Sequence, residues 1–164
     1  MKSLIINIQG QVNKWLKFIP LPPEYVKNGD RFWFSRGILN RNDDFPAIER
    51  SNGDKEWWFD GRPFRSGGFP NVECSNGDKK WLMWNGTLNR SNLPAVEYSN
   101  GTKEWWADGV LHRADGPAII YSNGDREYWY LNQRHNKAGG PSIIYGKKQY
   151  WYRFGIFIGD VAGK

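Results

Sequence analysis

Pro46-Ala47-Ile48-Glu49-Arg50-Ser51-Asn52-Gly53-Asp54-Lys55-Glu56-Trp57-Trp58-Phe59 reads as a β-hairpin. A strand-like run meets Asn52-Gly53, whose glycine supplies the positive φ that reverses the chain, and an aromatic strand returns. A helix does not fit. Gly and Pro interrupt the chain too often, and no apolar 3.6-residue period lasts long enough to nucleate one.

The same stretch recurs. Asn-Gly stands at Asn28-Gly29, Asn52-Gly53, Asn76-Gly77, Asn100-Gly101 and Asn123-Gly124, and proline at Pro22, Pro46, Pro70, Pro94, Pro117 and Pro141, at intervals of 24 residues with one of 23. Self-similarity at such a period marks a tandem array. Counted from proline to proline, the units are 22–45, 46–69, 70–93, 94–116, 117–140 and 141–164, with 1–21 as a degenerate N-terminal capping segment. The expected fold is all-β: tandem hairpins forming an elongated, twisted, single-layer antiparallel meander of about twelve strands. At about 4.8 Å per strand it would extend roughly 55–60 Å.

A three-residue Ser-Asn-Gly loop would set Glu49 across from Lys55, Glu73 from Lys79 and Glu97 from Lys103. A two-residue loop would instead oppose Glu49 and Glu56, which charge repulsion disfavours. The same register puts Ala47 opposite Trp57, Ala95 opposite Trp105 and Ala118 opposite Tyr128. A second turn follows, at Asp60-Gly61, Asn85-Gly86, Asp108-Gly109 and Asn132-Gln133, and then a basic residue: Arg41, Arg65, Arg90, Arg113 or Lys137.

Stacked hairpins align like positions into columns. One runs Trp33, Trp57, Trp81, Trp105, Tyr128 and Tyr150 and is expected to be structural, its rings packing on one another. A second runs beside it through Phe34, Trp58, Leu82, Trp106, Trp129 and Trp151, and alternation places it on the opposite face. Phe34, Trp58, Trp84, Trp106, Trp129 and Trp151, with Arg65, Arg90 and Arg113, form the candidate binding surface.

Composition agrees with an ordered array. Aromatics are 16% of the 164 residues, too many for a disordered chain, and the mean hydropathy is −0.74. No apolar run approaches a bilayer-spanning helix, and the start, Met1-Lys2-Ser3-Leu4-Ile5-Ile6-Asn7-Ile8, does not read as a secretory signal. With Cys74 alone, a reducing, cytoplasmic setting is expected. The net charge of +6 comes from 23 basic and 17 acidic residues, a mixed surface and not a polybasic one.

No residues suggest catalysis, a cofactor or a metal. His112 and His135 occupy the same place in their units and read as polar turn residues. Neither has a ligand partner at metal spacing. Cys74 stands where Arg50, Tyr98 and Tyr121 stand elsewhere and reads as a substituted strand residue. Asp54, Asp78 and Asp125 mark turns, where Asp bonds the local backbone.

At Leu111-His112-Arg113-Ala114-Asp115-Gly116-Pro117-Ala118 the chain resembles the MORN repeats (membrane occupation and recognition nexus), in their variant form with the signature Leu-His-Arg-x-Asp-Gly-Pro-Ala. Leu88-Asn89-Arg90 with Pro94-Ala95, Leu39-Asn40-Arg41 with Pro46-Ala47, and His135-Asn136-Lys137 with Gly139-Gly140-Pro141 are weaker copies. The resemblance covers about residues 22–155. It implies an elongated sheet used as a scaffold or binding surface without chemistry of its own, similar to arrays in bacteria, phages and large DNA viruses.

The leading expectation is therefore a non-enzymatic protein-binding module, its partner another protein of unknown identity, in a host cytoplasm or a virion if the array is viral. A homodimer through the terminal repeats is a further possibility. The alternatives are anionic-membrane association through the arginines, or binding of single-stranded nucleic acid or glycan on the rings. Salt separates them, because nucleic acid and headgroup binding fall steeply with added salt while hydrophobic docking does not.

Overall fold

The computed structural model describes residues 25–161. The expected capping segment 1–21 lies outside the described residues, as do the ends of the units 22–45 and 141–164. The chain is all-β. A single antiparallel sheet of thirteen strands runs through the described residues with its strands in sequence order, the arrangement that short hairpin connections dictate.

The expected loop register holds. Glu49 faces Lys55, Glu73 faces Lys79 and Glu97 faces Lys103. The amide of Gly53 donates to Arg50 O at 2.9 Å and that of Arg50 to Asp54 O at 2.8 Å, which closes the loop. Gly53 sits at φ +94°, and a Cβ there would lie 3.2 Å from Ser75 Cβ of the next loop, so the position requires glycine on two counts. The ion pair, however, is not with the facing lysine: Glu49 meets Arg31 at 3.3 Å and Arg41 at 3.5 Å.

Two expectations need correction. Ala47 does not sit opposite Trp57, because pairing within the hairpin ends at Ile48 and Glu56. The Ala47 amide bonds Glu56 O at 2.8 Å, a one-residue shift, and its carbonyl accepts from Trp33 of the preceding hairpin at 2.9 Å. Likewise Trp81 bonds Ala95 and Trp105 bonds Ala118, so each small residue makes room for the ring of the unit before it.

The aromatic strand also does not continue through the sheet. It breaks at Trp57, and Trp58–Phe59 pairs with Arg62–Pro63 in a separate two-stranded ribbon. Ribbons also form at Phe34–Ser35 with Ile38–Leu39, Trp106–Ala107 with Val110–Leu111, and Trp129–Tyr130 with Gln133–Arg134. Each unit with a ribbon thus adds two strands to the common sheet and one ribbon beside it.

The core is thin and sits where ribbon meets sheet. Leu111, Ala118 and Ile119 are buried together, covered by Trp105, Trp106, Tyr121 and Trp129. Ile48, Val96 and Ile143 fill the matching places in other units. At the C-terminal edge, Ile156–Val161 pairs with Lys148–Arg153. The apolar tail packs partly on the preceding hairpin, with Phe154 stacked on His135 at 4.1 Å and Phe157 against Tyr152 at 5.3 Å.

Candidate binding surface

Arg41, Arg65, Arg90 and Arg113 are each held by a ring, a carbonyl and at least one carboxylate. The Arg65 guanidinium lies 3.8 Å from the centre of the Trp57 ring. It also bonds both oxygens of Asp44 at 2.8 and 3.0 Å, Glu73 at 2.6 Å and the Pro70 carbonyl at 3.2 Å. Arg41 over Trp33, Arg90 over Trp81 and Arg113 over Trp105 repeat the stack at 3.7, 3.7 and 4.2 Å. Each of these also donates to the carbonyl of the following proline. A guanidinium suits this place because its planar face stacks while its edge donates. In the unit 117–140 the proline carbonyl is taken by Asn136 and not by Lys137, which is exposed.

The structural column is buried or half-buried, its four tryptophans beneath these arginines and Trp33 and Trp57 most enclosed. Its last member shifts by one residue. Tyr150 faces Ile143 as Glu56 faces Ile48, so Tyr150 stands in the glutamate's place and Trp151 in that of Trp57. The two-residue turn at Gly146-Lys147 removes one residue from that hairpin and produces the shift.

The second column is half-buried and tied down by its indoles. Trp58, Trp106 and Trp129 donate to Glu56, Glu104 and Glu127 at 3.0, 2.8 and 2.9 Å. The same glutamates accept from Arg50, Tyr98 and Tyr121. Burial and then Glu104 push the Tyr98 hydroxyl up to about 12. Burial opposes the charge on Glu127, but hydrogen bonds led by Tyr145 outweigh it and hold the carboxyl below its ordinary range. Phe34 and Trp151 are also half-buried. Thus Phe34, Trp58, Trp106, Trp129, Arg65, Arg90 and Arg113 are engaged within the array, while Trp151 is half-buried.

Trp84 is different. It is 61% exposed, and in the preceding unit Phe59, Phe64 and Phe69 are 52, 56 and 59% exposed. Phe59 and Phe64 lie 6.1 Å apart, and the Arg62 guanidinium sits 5.2 Å from the Trp84 ring. The cause is local. Asn40, Asn89 and His112 occupy one position, and each accepts from the next unit's turn, at the amides of Asp60, Asp108 and Leu131. Phe64 occupies that position in its unit and has no acceptor to offer. The following turn lengthens to Trp84-Asn85-Gly86, its ribbon shrinks to a single bridge between Leu82 and Leu88, and Trp84 projects outward. The sequence reading named Trp84 but missed Phe59, Arg62, Phe64 and Phe69. The available signal was Phe64 breaking a column otherwise made of Asn and His.

A shallow cleft of about 170 Å³ beside this patch is lined by Asp43, Asp44, Trp57, Phe59, Phe64 and Arg65. It is smaller than the roughly 300–1,000 Å³ that encloses a drug-sized ligand. His112 is a turn acceptor, and His135 stacks on Phe154 with its Nδ1 buried and unpartnered. Burial raises the Cys74 thiol above its ordinary value. Among the described residues no group of three His, Cys, Asp or Glu is placed to hold a metal ion, and no helix is long and apolar enough to cross a membrane.

Compared against known protein families and against curated proteins, the chain finds no match in either.

Proposed function

We propose that this chain is a non-enzymatic, MORN-like repeat scaffold that docks another protein, acting in a cytoplasmic setting. The carrying observation is that Phe59, Phe64, Phe69 and Trp84 are four large rings each more than half exposed, beside columns whose rings and cations are already occupied. Exposed rings, of which Phe59 and Phe64 touch one another and Trp84 lies under Arg62, have the composition of a protein interface core. The arginines that would serve headgroups or phosphates are instead stacked and ion-paired, which weighs against an electrostatic partner.

The test uses the full chain and a variant carrying Phe64→Ser and Trp84→Ser, both at exposed positions, as baits on extracts of the native source. A protein retained by the wild type through raised salt and lost with the variant is the expected result, with circular dichroism showing both baits folded. Retention of nucleic acid or anionic lipid that salt releases would overturn the reading. So would a wild type that captures nothing and only dimerises through its terminal strands.

A further inference from the structure

Six Asn-Gly pairs lie in the described chain, and five share one arrangement. At Asn52, Asn76, Asn100 and Asn123 the side-chain oxygen accepts from the amide two residues on, at 2.9–3.1 Å. The amide of the following glycine donates to the residue before the loop, as Gly53 to Arg50, Gly77 to Cys74, Gly101 to Tyr98 and Gly124 to Tyr121. Asn85 accepts twice from Thr87, and Gly86 donates to Met83. These are the two groups that meet when an asparagine loses its amide spontaneously: the glycine nitrogen and the asparagine Cγ. In all five pairs both are held elsewhere.

Asn28-Gly29 has neither restraint. Lys27 faces Asp30, so the turn has two residues and not three, with Asn28 at φ +53° and Gly29 at φ +85°. Asn28 is exposed, and among the described residues its side chain makes no hydrogen bond and the Gly29 amide has no acceptor. The strand before it, Tyr25–Lys27, is exposed at every residue and, among the described strands, pairs with Asp30–Phe32 alone, at the end of their order. Such an edge opens at low cost, and opening frees the backbone for attack.

We propose that Asn28-Gly29 is a site of spontaneous deamidation built into the edge of the array. The Gly29 amide gives its proton to solvent base and its nitrogen attacks Asn28 Cγ. The new N–C bond closes a succinimide as the Cγ–Nδ2 bond breaks, Nδ2 taking a proton from solvent and leaving as ammonia. Water then opens either carbonyl, giving aspartate or isoaspartate at position 28. Isoaspartate adds a methylene to the main chain inside a two-residue turn, so Lys27 and Asp30 no longer face one another. The edge strand is released, while Arg31 and Phe32 keep their pairing to Glu49 and Ile48.

The test incubates the full folded chain at mildly alkaline pH and maps deamidation by peptide mass spectrometry, with an isoaspartate-specific methyltransferase as a second readout. Asn28 is expected to react at least about tenfold faster than any of the other five, each of which must first break at least two hydrogen bonds. In urea all six should react at comparable rates. Asn28→Gly keeps the positive φ and should abolish the fast phase alone. Equal rates at Asn28 and Asn52 in the folded chain, or an intact Asn28 while another pair reacts, would overturn the proposal.

Discussion

Trp57 and Trp105 occupy the same place, yet their indole N–H groups meet different ends. Trp57 Nε1 donates to Asp44 O at 2.9 Å, and Trp81 Nε1 to Gly68 O at the same distance. Trp105 Nε1 is buried without a partner. The segment before Trp105 explains this: Arg90 precedes Pro94 by four residues, where Arg41 and Arg65 precede their prolines by five, so the carbonyl that would accept is displaced. An unpaired buried donor costs about 1–3 kcal/mol. Trp57→Phe should therefore destabilise the chain by about 1–2 kcal/mol more than Trp105→Phe, since both lose similar packing but only one loses a hydrogen bond. Urea midpoints of the two variants check this, and equal midpoints would refute it. Arg65→Lys should also cost about 2 kcal/mol, because an ammonium keeps the charge but neither stacks on Trp57 nor grips Asp44 with two nitrogens. Arg65, Arg90 and Arg113 were legible as a column but not as staples. Sequence spacing shows that cations recur, whereas their use depends on which ring and carbonyl the fold brings within reach.

The turns form a ladder of their own. Asp30 accepts from the Ser51 amide at 2.7 Å, Asp54 from Ser75 at 2.7 Å and Asp78 from Ser99 at 2.8 Å, so each loop is pinned by the one before it. These backbone bonds are the first cause holding all three carboxyls below their ordinary range. With native values depressed below the unfolded value near 3.9, the ladder's contribution is complete above that pH and is lost as pH falls through the lower native values. Melting temperatures should therefore drop most steeply below about pH 4. Asp54→Asn keeps an acceptor without the charge, so it should melt lower at neutral pH and lose less on acidification. An acid profile parallel to that of the wild type would show that the ladder carries no such linkage. The Ser-Asn-Gly loop and its register were readable because turn geometry is a local property of three or four residues. The split of the aromatic strand into sheet and ribbon was not. Trp57-Trp58-Phe59 has the composition of one continuous strand, and the break arises from Trp57 bonding forward to Asn71 while Phe64 closes back onto its carbonyl.

Across the whole molecule, stability is a chain of neighbour contacts, and a repeat array is only as cooperative as its poorest link. The unit 70–93 is that link. On either side of it, Arg50, Glu56 and Trp58 and then Tyr98, Glu104 and Trp106 form hydrogen-bonded triplets. Between them stand Cys74, Lys80 and Leu82, which cannot make one. The same unit lacks the staple that Phe64 fails to provide, and its ribbon is one bridge, Leu82 with Leu88. Asn71 compensates in part, bonding both backbone groups of Leu82 at 2.7 and 2.8 Å. Hydrogen exchange should therefore find the amides between Met83 and Leu88 opening before those of Trp106–Ala107 and Val110–Leu111, and thermal unfolding should show two overlapping transitions. Installing the triplet through Cys74→Tyr, Lys80→Glu and Leu82→Trp together should merge them into one sharper transition. Lys80→Glu alone should widen their separation, because it sets a further carboxylate between Glu56 and Glu104 in the column and brings no donor with it. If the wild type already unfolds in one step that the triple variant leaves unmoved, coupling in this array does not run through the glutamate triplets, and the lengthened turn at Trp84 is a surface feature without energetic reach.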